Sequence, residues 1–318
     1  MQNYNYIQKI LHDLVLGNKI INKTLFELEK IFFLKNNYET IKINHVFISS
    51  LPRSGTTSLL NFAYSTGEFG SLKYNNMPFI LSPNISKLFN VKEKKITKKR
   101  IHNDGIYYNL DSPESLDEVF FCNKNSFIKE ELLNYINLIL IAENKKRYLS
   151  KNNLNYKRIE LISSIFPNAI FIIPIRDPLQ QSYSMYQQHL NFCKIHNNDD
   201  FTRRYMSYLY HNEFGINHNP WNKPVFYNNP NEFNYWLEQW FLFYKNLFEV
   251  QQYNKKCFFI TYEKLSNQGY LDILVNYLNL TNINNLNFFK NSNKHSINIE
   301  FDNKIYVNAY DIYSKIAN

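Results

Sequence analysis

Cysteine is scarce in this sequence of 318 residues: Cys122, Cys193 and Cys257 are odd in number, far apart and never in CxxC spacing. Neither a disulfide framework nor a zinc site is indicated, and a reducing cytoplasm is the simplest setting. The opening MQNYNYIQKI lacks a basic flank followed by an apolar core, and no later run approaches the length of a membrane span. The expectation is a soluble, cytoplasmic, untargeted chain with no membrane span. Also missing are a Ser/His/Asp triad and any RNA- or DNA-binding motif, so no nucleic-acid partner is expected. Acidic residues are the minority charge, and the net charge of +9 suits an anionic ligand without choosing among nucleotide, glycan and lipid surface.

What is present is core material. Hydrophobic content of 44% and aromatic content of 17% exclude a disordered chain, and the many asparagines are spread as compositional drift. The length allows one large α/β domain or two small ones.

The organising stretch is residues 45–66, HVFISSLPRSGTTSLLNFAYST. A short apolar run at 46–50 reads as a buried strand and 56–65 as a helix, so 51–57 is the turn between them. That turn is suited to an oxyanion. Pro52 fixes the strand exit, Gly55 lets the backbone approach a ligand, and the amides from Gly55 to Ser58 open at a helix N-terminus. Arg53 adds a positive fork, and Ser54, Thr56 and Thr57 flank it with hydroxyls. The turn departs from the nucleotide-triphosphatase loop GxxxxGK[ST]: Ser50 stands for the first glycine, Thr56 for the lysine, and the charge moves forward to Arg53.

Along the chain, residues 5–35 predict two amphipathic helices broken near Gly17, their apolar stripe (Ile7, Ile10, Leu11, Leu14, Ile20, Ile21, Leu25, Leu28, Phe32) facing the main body. The basic run at 91–100 reads as a solvated loop in preference to a docking patch. Ser112-Pro113-Glu114 predicts a helix start with Leu116, Val119 and Phe120 inward, and gathers His102, Asp104, Asp111, Glu114 and Glu118 at one junction where a proton acceptor fits. Residues 129–143 and 156–165 have helical spacing, with 147–155 leading into the second. Residues 169–175 form a second buried strand ending in IRDP, and Pro178 starts a helix through 190. The stretch 191–233 is a candidate lid or surface excursion, 232–250 a core helix, and 256–262 a third buried strand. The tail from 281 to 318 predicts a strand at 297–301 and a closing helix near 307–316. Strands that end in charged turns and feed helices imply a parallel sheet with ligands at its C-terminal edge.

The turn PRSGTT resembles the phosphosulfate-binding loop of the sulfotransferases, and FPNAIFIIPIRDPLQQSYSMY resembles their 3′-phosphate segment, with Arg176 at the strand end and Ser184 two turns along the helix. HNDGI, DSPESLDEVF, YLSKNN, QQHLNF and HNEFG are similar to segments of a bacterial branch of the family. The resemblance covers roughly residues 45–265. It implies an α/β, P-loop NTPase-like three-layer fold with a central parallel sheet and extra helices, arranged as one domain with N-terminal helices at 1–40. It implies 3′-phosphoadenosine 5′-phosphosulfate (PAPS) as cofactor, held by Arg53, Ser54, Gly55, Thr56, Thr57, Ser58, Arg176, Ser184 and Tyr262, and an in-line sulfonate transfer needing no metal. Arg53 and Lys151 would then stabilise the leaving oxygen, and His102 or Glu114, with Glu118 behind, would take the acceptor's proton; His211 and His218 are alternatives in the acceptor pocket. The GxxGxWK loop of the cytosolic animal enzymes is absent. The acceptor, a small molecule or glycan, is open between carbohydrates, lipids, phenols, alcohols and amines. Two other readings stay open: a P-loop small-molecule kinase, which lacks its lysine, and a non-catalytic binder of anionic glycan.

Overall fold

The computed structural model describes residues 4–34, 39–89, 97–100, 106–123, 128–253, 256–282, 288–289 and 296–317. The elements run α1 (Tyr6–Val15), α2 (Lys19–Phe33), β1 (Val46–Ile48), α3 (Thr56–Ser65), β2 (Phe69–Gly70), α4 (Pro83–Phe89), β3 (Lys98–Lys99), β4 (Tyr107–Tyr108), α5 (Glu118–Cys122), α6 (Ile128–Glu143), β5 (Arg147–Lys151), α7 (Ile159–Ile165), β6 (Ile170–Ile175), α8 (Pro178–Asn198), α9 (Asp200–Tyr208), α10 (Phe233–Tyr253), β7 (Cys257–Thr261), α11 (Gln268–Tyr277) and α12 (Asn303–Ala317).

The main sheet has the order β2-β5-β1-β6-β7 and every pairing in it is parallel. Alternation along the strands divides the interior in two. Phe47, Phe171, Ile173 and Ile175 face one layer, with Trp236 and Trp240 of α10 and with α6. Val46, Ile48, Leu149, Ile172 and Ile260 face the other, with Leu59 and Leu60 of α3 and Leu271 and Leu274 of α11. Helices on both faces of a parallel sheet make three layers. The chain leaves β1 for β2 on one side and later reaches β6 on the other, so the loop after β1 sits where the connections diverge, beside the ends of β5 and β6.

Four sequence expectations are corrected. The 147–155 segment is not a mere lead-in: RYLSK forms β5, whose Tyr148 and Leu149 enter opposite core layers. Pro113 does not begin a helix, because it bridges Lys73 and the Glu114 amide donates to the Leu72 carbonyl; α5 starts at Glu118, with Leu116, Val119 and Phe120 buried as expected. Residues 297–301 form no strand. The apolar stripe of α1 and α2 faces inward only in part: Ile7, Leu14 and Phe32 are 74%, 53% and 71% exposed and Ile21 and Leu25 half-buried, while His12, Val15, Asn22, Phe26 and Glu29 face in. Glu29 is held there by accepting the amides of Asn84 and Ile85 at the start of α4. Among the described residues no helix is long and apolar enough to cross a membrane.

Candidate active site

The loop after β1 takes its shape from two left-handed residues, Arg53 at φ 69° and Gly55 at φ 93°. Such backbone is strained for arginine and easy for glycine. Gly55 caps α3 with no side-chain hydrogen bond, so the helix presents its amides outward. The loop is braced from beneath: Ser50 Oγ donates to the Pro174 carbonyl at 2.6 Å, Ser54 Oγ to Leu51 O at 2.8 Å, and Gln181 Nε2 to Pro52 O at 3.0 Å. The Ser54 hydroxyl is therefore turned inward, Thr56 is buried, and Thr57 and Ser58 are half-buried.

Three elements meet on this loop. Arg53 Nε donates to Ser184 Oγ at 2.9 Å, which joins the loop to α8. Arg176, at the end of β6, reaches the Arg53 carbonyl through Nη1 at 3.4 Å, while its buried Nε has no hydrogen-bond partner among the described residues. Tyr262, just past β7, lies so close that a β-carbon on Gly55 would sit 2.1 Å from its Cδ2. The Arg176 guanidinium is 6.0 Å from the centre of that ring. Glu263 Oε1 accepts the Asp177 amide at 2.9 Å, and its Oε2 accepts from Tyr313 of α12 at 3.3 Å. Asp177 in turn caps α8, with Pro178 in the first turn.

Beside the loop a cleft of about 110 Å³ opens between β5, α8 and α9. Lys151 ends β5 opposite Ile48 and points its ammonium toward Glu114, 3.9 Å away. Glu114 is bound on all sides: Arg100 Nη2 at 2.9 Å, the Ser115 amide at 2.8 Å, and the Tyr74 hydroxyl. Burial alone would raise its pKa, but Arg100, Lys151, Tyr74 and the Ser115 amide outweigh it and hold the carboxylate well below the usual range. Such a group is a weak proton acceptor. Arg100 also donates to Thr57 Oγ1 at 3.4 Å, tying this network to α3. His211 and Glu213 also line the cleft, and among the described residues the His211 ring makes no hydrogen bond.

The predicted cofactor residues are thus brought together, along with Glu114 and Lys151. His102 and Asp104 lie outside the described residues. Asp111 is exposed, and Glu118 is drawn off into a pair with Arg158 at 2.6 Å. His218 is packed between Tyr235 and the Glu213 carbonyl, away from the cleft. Arg100, the last residue of the basic run read as solvated, is 8% exposed. Asn153, Gln188, Phe192 and Glu213 were not singled out, although they stand inside the YLSKNN, QQHLNF and HNEFG segments. Among the described residues no group of three or more His, Cys, Asp or Glu is arranged to hold a metal ion.

The fold is similar to that of sulfotransferase STF1 from Mycobacterium tuberculosis H37Rv, with a TM-score of 0.50 at 10% identity over 84% of this chain and 75% of that one. Sulfotransferase STF9 of Mycobacterium avium (TM-score 0.46, 10% identity, 95% and 76% covered) and the sulfotransferase domain of the curacin biosynthetic pathway (0.45, 13%, 87% and 98%) are more distant in shape. No curated protein matches the sequence. A family model described as "Sulfotransferase family" matches residues 45–269, which span the loop after β1, β6 with Arg176, and Tyr262. The chain belongs to the sulfotransferase family.

Proposed function

We propose that this protein transfers a sulfonate group from PAPS to a hydroxyl or amine held in the cleft between β5, α8 and α9. The observation that carries this reading is the buried, unbonded Nε of Arg176 beside an Arg53 already turned onto Ser184. A guanidinium donor left without a partner is costly unless an anion completes it, and two arginines with a serine suit a phosphate dianion. The uncapped start of α3 supplies amides for a second anionic group next to it. PAPS, when bound, would supply the activated sulfonate, with 3′-phosphoadenosine 5′-phosphate as the leaving group.

The chain's own groups divide the remaining work. Arg176, Ser184 and Arg53 bind the 3′-phosphate side, and Tyr262 walls the loop at Gly55. Ser54, Thr56, Thr57 and Ser58 contribute mainly through backbone, since the Ser54 hydroxyl is committed to Leu51. Lys151 would stabilise the negative charge that develops on the leaving oxygen, and Glu114, itself paired with Arg100, positions its ammonium. His211 is the group in the described cleft best suited to take the acceptor's proton, because its ring has no competing hydrogen bond there. Residues of the 191–233 stretch line the cleft, which suits a lid. The wide spacing of the cysteines suits a cytoplasmic setting.

Calorimetric titration with 3′-phosphoadenosine 5′-phosphate tests the reading, with ATP and magnesium as the comparison. Tight binding of the bisphosphate, abolished in Arg53→Ala and Arg176→Ala, is the expected result. A preference for ATP with magnesium, or no binding, would overturn it.

A further inference from the structure

Two buried amide atoms in the cleft have no partner among the described residues: Asn153 Oδ1, an acceptor, and Gln188 Nε2, a donor. Each residue is 6% exposed. Asn153 is oriented by its own amide, since Nδ2 donates to Glu213 Oε1 at 3.0 Å and leaves Oδ1 aimed away from that bond. Gln188 follows Ser184 by four residues on α8, so both lie on one helix face, separated by about 6 Å along the axis. Phe192 continues the same face by another turn and packs against Phe214, the ring centres 6.4 Å apart and nearly parallel.

The face of α8 thus grades from Ser184 at the cofactor loop, through an unpaired amide, to an aromatic wall. Resting on the sulfotransferase reading above, we infer that the acceptor is a neutral polyhydroxylated ring, a saccharide, recognised by Asn153 Oδ1 and Gln188 Nε2. The hydroxyl that reacts must face Lys151 and the loop, so it is not available to these two amides. A phenol or alkanol has no other polar group and would leave both amides buried and unsatisfied. A saccharide carries neighbouring hydroxyls, each both donor and acceptor, and so meets one orphan acceptor and one orphan donor together. The Glu213 carboxylate beside Asn153 disfavours an acidic sugar by like charge.

Saturation-transfer NMR on protein saturated with 3′-phosphoadenosine 5′-phosphate tests this, using maltotriose, cellotriose and chitotriose against 4-nitrophenol and 1-octanol. Asn153→Leu and Gln188→Leu remove the amide and leave an apolar side chain of broadly similar size. The expected result is binding of at least one saccharide that each variant weakens about tenfold or more, with the bisphosphate affinity of both variants unchanged. That unchanged affinity also shows that the variants are folded. Preference for the phenol or alkanol, no saccharide bound, or saccharide binding indifferent to both substitutions overturns the inference while leaving the cofactor reading intact. Failure of the wild type to bind the bisphosphate would overturn both.

Discussion

The ring of Tyr262 fills the space that a β-carbon on Gly55 would need, at 2.1 Å from Cδ2. Gly55 is also left-handed at φ 93°, so glycine is required there twice over, once by backbone and once by its neighbour. The loop after β1 and the turn after β7, far apart in sequence, are thereby one surface.

Gly55→Ala is expected to destabilise the fold by about 1–3 kcal/mol through strained backbone, with a further loss from the displaced tyrosine. Adding Tyr262→Ala should recover the second part and not the first. Urea denaturation of the single and double variants measures both; full recovery in the double variant would show that the backbone strain is negligible.

Ser184→Ala removes the acceptor of the Arg53 Nε bond. A hydrogen bond to a charged donor contributes about 1.5–3 kcal/mol, so the affinity for 3′-phosphoadenosine 5′-phosphate should fall roughly 10- to 100-fold. Calorimetry reads this directly, and an unchanged affinity would remove Ser184 from the phosphate site.

Glu114→Gln leaves Arg100 and Lys151 without their carboxylate and should cost about 3–5 kcal/mol, as expected when one partner of a buried pair is removed. Because the folded carboxylate is held below its ordinary value of 4.5, its contribution is complete above that pH and is lost as the pH falls further. Stability measured from pH 6 down to pH 3 should therefore decline less steeply in the variant than in the wild type.

His45 gives a second and separate pH dependence. Its Nδ1 accepts the Tyr148 amide at 2.9 Å and its Nε2 donates to the Thr40 carbonyl, so only the neutral ring fits. Burial lowers its pKa from 6.5 to about 4. The unfolded chain takes up this proton first, so stability is full above pH 6.5 and falls as the pH drops toward 4. Replacing His45 with Gln should lower stability at pH 7 and flatten the decline between pH 6.5 and 4, as followed by thermal melts.

The loop and the helix behind Arg176 were legible because their chemistry is local. Gly55, Pro52 and Pro178 constrain backbone by themselves, and Arg53 and Arg176 announce charge at strand ends. β5 was not, because RYLSK carries polar ends and becomes a strand only when β1 and β2 flank it. The start of α5 was misplaced because the pairing of Pro113 with Lys73 is a distant contact. Helical spacing showed the apolar positions of α1 and α2, but which of them turn inward depends on distant partners: Phe26 meets Phe120 and Tyr135, and Glu29 accepts the first amides of α4. The orphan atoms of Asn153 and Gln188 were invisible for a related reason: an amide's lack of partners belongs to the whole surrounding shell.

Glu263 links the Asp177 amide at the end of β6 to the Tyr313 hydroxyl of α12. On the ribosome the loop at residues 51–58 emerges early, yet this brace can form only after residue 313 has left the exit tunnel. A nascent chain stalled before that point would carry the whole match to residues 45–269 and still lack one support of the turn after β6. The edge of the sheet beside Arg176 would then gain its full bracing only once α12 has emerged and docked.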